Sequence, residues 1–202
     1  MPASPLLRAA ALAASAALAA CASAPTHFYT LLQSGAPRSA PVASPAFLID
    51  VEPVGVPAQV DQAELLVRQS EQRVAVLDSE RWAAPLAAEL REAVAADLAA
   101  DLGTRDVHGL AHPPATPLFR VRIDVRRFDS WPGRHALIAA DWSIRGEDAV
   151  RVTCTSTATE TVTAGYDALV QGHQRALATI SDDIAAAVRA MAGGATPPAC
   201  PR

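Results

Sequence analysis

Few side chains in this chain stand at spacings that chemistry uses. His108 and His112 lie four residues apart, a separation that on a helix would aim two imidazoles at one zinc ion. Gly109, Pro113 and Pro114 make the segment a loop, and no third ligand is spaced nearby, so no metal is expected. The carboxylates Asp182–Asp183 and Asp97/Asp101 fall on faces that read as solvated, whereas general acid–base work needs carboxylates in a shaped pocket. The chain has no G-x-S-x-G elbow, P-loop, G-x-G-x-x-G or C-x-x-C pattern, so no cofactor and no enzymatic activity are expected. Arg120, Arg122, Arg126 and Arg127 form a basic strip with two readings. It could meet an acidic partner or lipid headgroups, or it is a solvated sheet face balanced by Asp124 and Asp129.

The three cysteines carry the remaining chemistry. Cys21 closes an export signal: Met1–Arg8 is a charged n-region and Ala9–Ala20 an unbroken small and apolar h-region. Twelve helical residues reach only about 18 Å, short of the roughly 30 Å hydrocarbon core, so a permanent membrane span is the weaker reading. Leu18-Ala19-Ala20-Cys21 resembles the lipobox of bacterial lipoproteins. There the thiol takes a diacylglycerol and cleavage between Ala20 and Cys21 makes the cysteine residue one. Each buried acyl methylene contributes about 0.8 kcal/mol, so several chains hold a domain on its membrane essentially permanently. Ala22, where an Asp favours inner-membrane retention, implies outer-membrane sorting by the same resemblance. An exported chain meets a disulfide-permitting compartment. A Cys154–Cys200 bridge would staple the tail to the sheet and contribute on the order of 3–4 kcal/mol in the chain-entropy model. The other reading is a buried free Cys154 and a free Cys200 in a Pro-rich tail.

The elements that position these groups follow from periodicity. Residues 1–20 are the signal and 21–26 a lipidated tether; the five residues 22–26 reach at most about 18 Å, which keeps the domain of 27–193 close to the membrane. His27–Leu32 is an apolar segment, and Gln33–Ala46, rich in Pro, Ser, Gly and Ala, a semi-extended connection. Phe47, Ile49 and Val51 alternate with Leu48, Asp50 and Glu52 in a strand ended by Pro53, Gly55 and Pro57. Glu64–Gln69 and Arg73–Leu77 flank Ser70-Glu71-Gln72 as a hairpin. Trp82, Leu86, Leu90, Val94, Leu98 and Leu102 recur every fourth residue, with Glu89, Glu92, Asp97 and Asp101 off that row. This predicts an amphipathic helix capped by Asp78 or Ser79, with Pro85 in its first turn and Gly103 as its stop. Trp82, at the head of the ladder, is a core anchor or a partner contact.

Alternation then predicts three strands: Phe119–Arg126, Ala136–Ile144 and Val150–Thr159, the last with a comb of threonines on one face. Asp167–Met191 reads as a second amphipathic helix stopped by Gly193-Gly194, and 194–202 as a tail. The fold class is α+β, one mostly antiparallel sheet with two amphipathic helices packed on one face.

The 202 residues bound the chain to one domain with appendages. The formal net charge is −4 and every basic residue is arginine, which excludes a phosphate-tracking surface; no nucleic-acid partner is expected. Lipobox, Phe28-Tyr29-Thr30-Leu31, Val54-Gly55-Val56-Pro57 and Asp78-Ser79-Glu80-Arg81-Trp82-Ala83-Ala84-Pro85-Leu86 together resemble the PqiC-type ABC-transport auxiliary lipoprotein family. The resemblance implies a non-enzymatic, outer-membrane-anchored lipoprotein facing the periplasm. It would partner an MCE-domain protein in intermembrane lipid transport, contribute to envelope integrity, and could assemble as a homo-oligomeric ring. The alternatives are a scaffold of another envelope machine, such as a secretion apparatus, or a periplasmic hydrolase.

Overall fold

The computed structural model describes residues 25–33, 46–146, 151–194 and 200. Its elements in chain order are β1 (His27–Tyr29), β2 (Leu48–Val51), β3 (Glu64–Arg68), β4 (Val74–Trp82), α1 (Leu86–Leu102), β5 (Leu118–Trp131), β6 (His135–Arg145), β7 (Arg151–Thr161) and α2 (Tyr166–Ala192). The class is α+β, but the strands form two sheets rather than one. A three-stranded sheet runs β1-β4-β3 and a four-stranded sheet β2-β5-β6-β7. Both are mixed: β1 is parallel to β4 and β2 to β5, while the remaining pairs are antiparallel. Sequence neighbours can pair antiparallel through short turns, whereas a parallel pair needs a long crossover that local patterning does not reveal.

The long meander β5-β6-β7 follows the predicted alternation. Val121, Ile123 and Val125 face Ile144, Trp142 and Ala140, and Val152, Cys154 and Ser156 continue that buried row onto β7. At Val125/Arg127 the register slips. The bulge exposes Arg126 and Arg127 in succession and turns the even-numbered Phe128 and Ser130 inward. A second irregularity lies in β4, where Leu65 pairs with Leu77 but Glu64 already pairs with Arg81. Before it Leu77 faces the core; after it Glu80 and Trp82 do.

Trp82 therefore ends β4 instead of heading a helix, its N–H donating to the Ala63 carbonyl at 2.7 Å. It remains a core anchor, 4% exposed and edge-on to Phe128 at 6.0 Å. Asp78 and Ser79 lie inside β4 and cap nothing. Pro85 disfavours helical geometry at Ala84 and takes the N-cap position itself, so α1 begins at Leu86. Gly103, left-handed at φ 60°, stops α1 as predicted.

Helix α2 lies over β6 and β7, with α1 beside it against β2. The close fit of α2 depends on Gly172, where a Cβ would meet Val162 Cγ1 at 2.3 Å and Ala136 Cβ at 3.0 Å. Alanine would be the better helix former by about 1 kcal/mol, yet the clash must lift helix from strand. Gly172→Ala is expected to lower stability by about 1–3 kcal/mol, read as a lower urea midpoint with an unchanged slope. A midpoint at or above the parent's would show that the fit is looser than this.

Candidate functional site: the root of the N-terminal strand

Three elements hold residues 27–32. Strand β1 lies beside β4 with His27 opposite Glu80 and Tyr29 opposite Trp82. Tyr29 donates its phenolic hydrogen to Glu80 Oε2 at 2.6 Å, and His27 Nδ1 lies 3.0 Å from Oε1. Burial works to raise the Glu80 pKa, but the hydrogen bonds from Tyr29 and His27 prevail and hold it below the ordinary carboxylate range. Burial and the bond to that carboxylate push the Tyr29 hydroxyl the other way, well above its usual value. The chain then turns inward. Leu31, 1% exposed, enters the core, and its N–H donates to Glu89 Oε2 at 2.8 Å, an oxygen that also accepts from Thr30 Oγ1 at 2.7 Å. From α2, Gln174 Nε2 donates to the Thr30 carbonyl at 3.1 Å.

Glu80 and Glu89, 9% and 5% exposed, are the acids that make this root. Its place off the apolar row puts Glu89 on the polar side of the helix; instead it satisfies the Leu31 N–H, a backbone donor that would otherwise be orphaned in the core. Its position in the first turn of α1, where the helix dipole favours a negative charge, was the available sequence signal.

The other predicted groups fall elsewhere. Ala20 and Cys21, the signal 1–20 and Ala22 lie outside the described residues. Cys154 and Cys200 are 5.3 Å apart at Cα and joined as a disulfide, stapling the tail to β7. The expected result is that neither Cys154 nor Cys200 of the folded, oxidised protein reacts with an alkylating agent; two titratable thiols at these positions without reduction would refute the bridge. His108 Nδ1 lies 2.8 Å from Asp50 Oδ1, and His112 sits apart beside the Pro113 carbonyl. Among the described residues no group of three or more His, Cys, Asp or Glu side chains could hold a metal ion. Asp183 accepts from Ser156 and is not merely solvated. The arginine strip is balanced: Arg120 by Asp50, Arg122 by Asp124, Arg126 by Asp141 and Arg127 by Asp129. Hydrogen bonds from Thr155 and Arg126 hold Asp141 below its ordinary range. This is the solvated-face reading.

One pair had no sequence signal. Ser130 Oγ lies 2.8 Å from His173 Nε2, a nucleophile–base distance. The residues are 5% and 0% exposed, and the Phe128 ring stacks on the imidazole at 4.0 Å, so the pair is sealed in the core.

The profile of the ABC-type transport auxiliary lipoprotein component family matches residues 29–185, more than half of the chain and beginning within β1. No curated protein matches significantly. Two solved structures share the architecture. A crystal structure of an uncharacterised protein superposes with a TM-score of 0.64 at 19% identity, over 80% of this chain and 97% of that one. A Xanthomonas campestris protein of the DUF330 family does so at 0.55 and 19%, over 84% and 95%. At such identities the likeness concerns the fold.

Proposed function

The chain belongs to the ABC-type transport auxiliary lipoprotein component family, and from that premise we propose that it is a membrane-docked, non-enzymatic collar of an intermembrane lipid transport system. The lipid on Cys21 anchors it in the outer membrane with the domain in the periplasm. An MCE-domain protein of the same system is its partner, and several copies assemble as a ring around the lipid path, contributing to envelope integrity. The observation that carries the reading is the family match from residue 29 to 185. The root supports it physically. A tether of about 18 Å at most runs directly into residues 27–31, bonded to Glu80 through Tyr29, to Glu89 through Leu31 and to Gln174 through Thr30, so the domain cannot swing far from the leaflet and a docking surface is presented at fixed height. None of the described helices is long and apolar enough to cross a membrane.

The test is affinity purification of the full-length lipoprotein from its own envelope after crosslinking. Capture of an MCE-domain protein with the parent, and its loss with Cys21→Ser, is the expected result. Recovery of the protein alone, or with secretion components, would overturn the transport assignment.

A further inference from the structure

The chain contains three tryptophans. Trp82 and Trp142 are 4% and 2% exposed, while Trp131 is partly open at the β5–β6 turn. The Arg134 guanidinium covers one side of its ring, 3.8 Å from the centroid. Among the described residues Arg134 has no carboxylate partner, unlike the paired arginines of the β5 strip. This turn is bound to the residues that lead into α2: Gly133 N–H donates to the Thr163 carbonyl at 3.3 Å and Val162 N–H to the Arg134 carbonyl at 3.2 Å. The root of β1 lies beside the N-terminal half of α2, where Gln174 Nε2 donates to the Thr30 carbonyl at 3.1 Å. Next to Tyr29, Phe28 is 65% exposed: its neighbours in β1 face Glu80, so alternation turns it outward.

We infer that the end of the domain carrying the start of α2 rests on the lipid headgroup layer, with Phe28 and the Trp131–Arg134 pair as its contacts. The inference rests on the lipid-anchor reading given above. From Cys21 to Phe28 the chain reaches at most about 25 Å, so a side chain on this end is held beside the leaflet that holds the lipid. An aromatic ring with a polar edge and a long cationic side chain are the groups that settle between headgroups and acyl chains. An unpaired arginine also complements the phosphates that such a surface offers.

The test uses the full-length lipidated protein reconstituted into phosphatidylethanolamine/phosphatidylglycerol vesicles carrying headgroup-region nitroxide quenchers. Trp131 serves as a native probe, because the other two indoles are buried. The expected result is co-sedimentation together with loss of a large part of the emission, a loss absent in Trp131→Phe and reduced in Phe28→Ser and Arg134→Glu. Co-sedimentation with Trp131 quenched only by aqueous iodide would overturn the contact and leave the anchor standing. Shielding of Trp131 from both quenchers in a self-associated species would assign this end to a second copy and also overturn it. Failure of the parent to co-sediment would remove the anchor reading and this inference with it.

Discussion

Acidification from pH 6.5 toward 3 is expected to remove about 5 kcal/mol of stability through a single side chain, His173. Its burial pushes the imidazole pKa from 6.5 down to about 3, against the opposing pull of Asp129 and with a small further push from His135. Ser130 and the ring of Phe128 also neighbour it, and among the described residues Nδ1 has no hydrogen-bond partner. The sign follows from where the proton binds. Above pH 6.5 neither state is protonated there, so the full stability is present. Between 6.5 and 3 the unfolded chain binds a proton that the folded one refuses, so stability falls by about 1.4 kcal/mol per pH unit. Below 3 the loss is complete. For a domain with about 5–15 kcal/mol in total, this is between about a third and all of its stability. Glu80 and Asp141, both held below the ordinary range, add losses of the same sign at the lower end of the window.

Urea midpoints at several pH values between 7 and 4 measure the slope, and His173→Phe separates the cause. That variant leaves Ser130 without its partner and should be about 1–2 kcal/mol less stable at pH 7. Its stability should nevertheless change much less between pH 6.5 and 4.5. A variant retaining the parent's slope would place the titration elsewhere.

The bulge that seals His173 marks where sequence reasoning stops. Alternation from Phe119 to Val125 is local and was legible, as were the comb of β7, the span of α2 and the stop at Gly103, because each depends on neighbours within a few residues. The two register shifts were not. A bulge moves the inward face from odd to even positions; its trace, the broken alternation of Val125-Arg126-Arg127-Phe128, reads equally as the end of the strand, and only the pairing of Phe128 with Ile138 shows that the strand goes on. Likewise Leu48 opposite Leu118 is a parallel contact 70 residues distant, and Ile49 is covered on its other side by Asp106. A strand covered on both edges looks in sequence like one exposed on one face. The buried acids were hidden for the same reason: their partners, Tyr29 and Leu31, lie 51 and 58 residues away, so local pattern assigns Glu89 to water. Of the functional region, the apolar entry of residues 27–32 was legible, while the bonds that make its root rigid were not.

Those bonds set the second large effect: Glu89→Ala is expected to cost about 3–4 kcal/mol and to free the root of β1. The change strands the buried Leu31 N–H, at about 1–3 kcal/mol, and leaves a void where the side chain was. Thr30 loses its acceptor as well. Glu89→Gln keeps one carbonyl oxygen for the Leu31 N–H and should lose only about half as much, since a neutral acceptor is weaker than a charged one. Two readouts separate a weakened root from a weakened core. Urea denaturation reports the total, and native-state amide exchange at Leu31 reports whether the segment opens by itself. The root reading requires Leu31 protection to fall well below the global value in Glu89→Ala and to return largely in Glu89→Gln. Equal losses at Leu31 and in the centres of β6 and α2 would mean that Glu89 supports the core as a whole. Opening at Leu31 leaves β1 held by its pairing with β4 and the bonds to Glu80; where these yield as well, the effective tether lengthens from five residues to about ten and the domain's reach roughly doubles. On the proposed lipid-anchored reading, Glu89→Ala should then stay on the membrane yet crosslink less efficiently to the proposed partner.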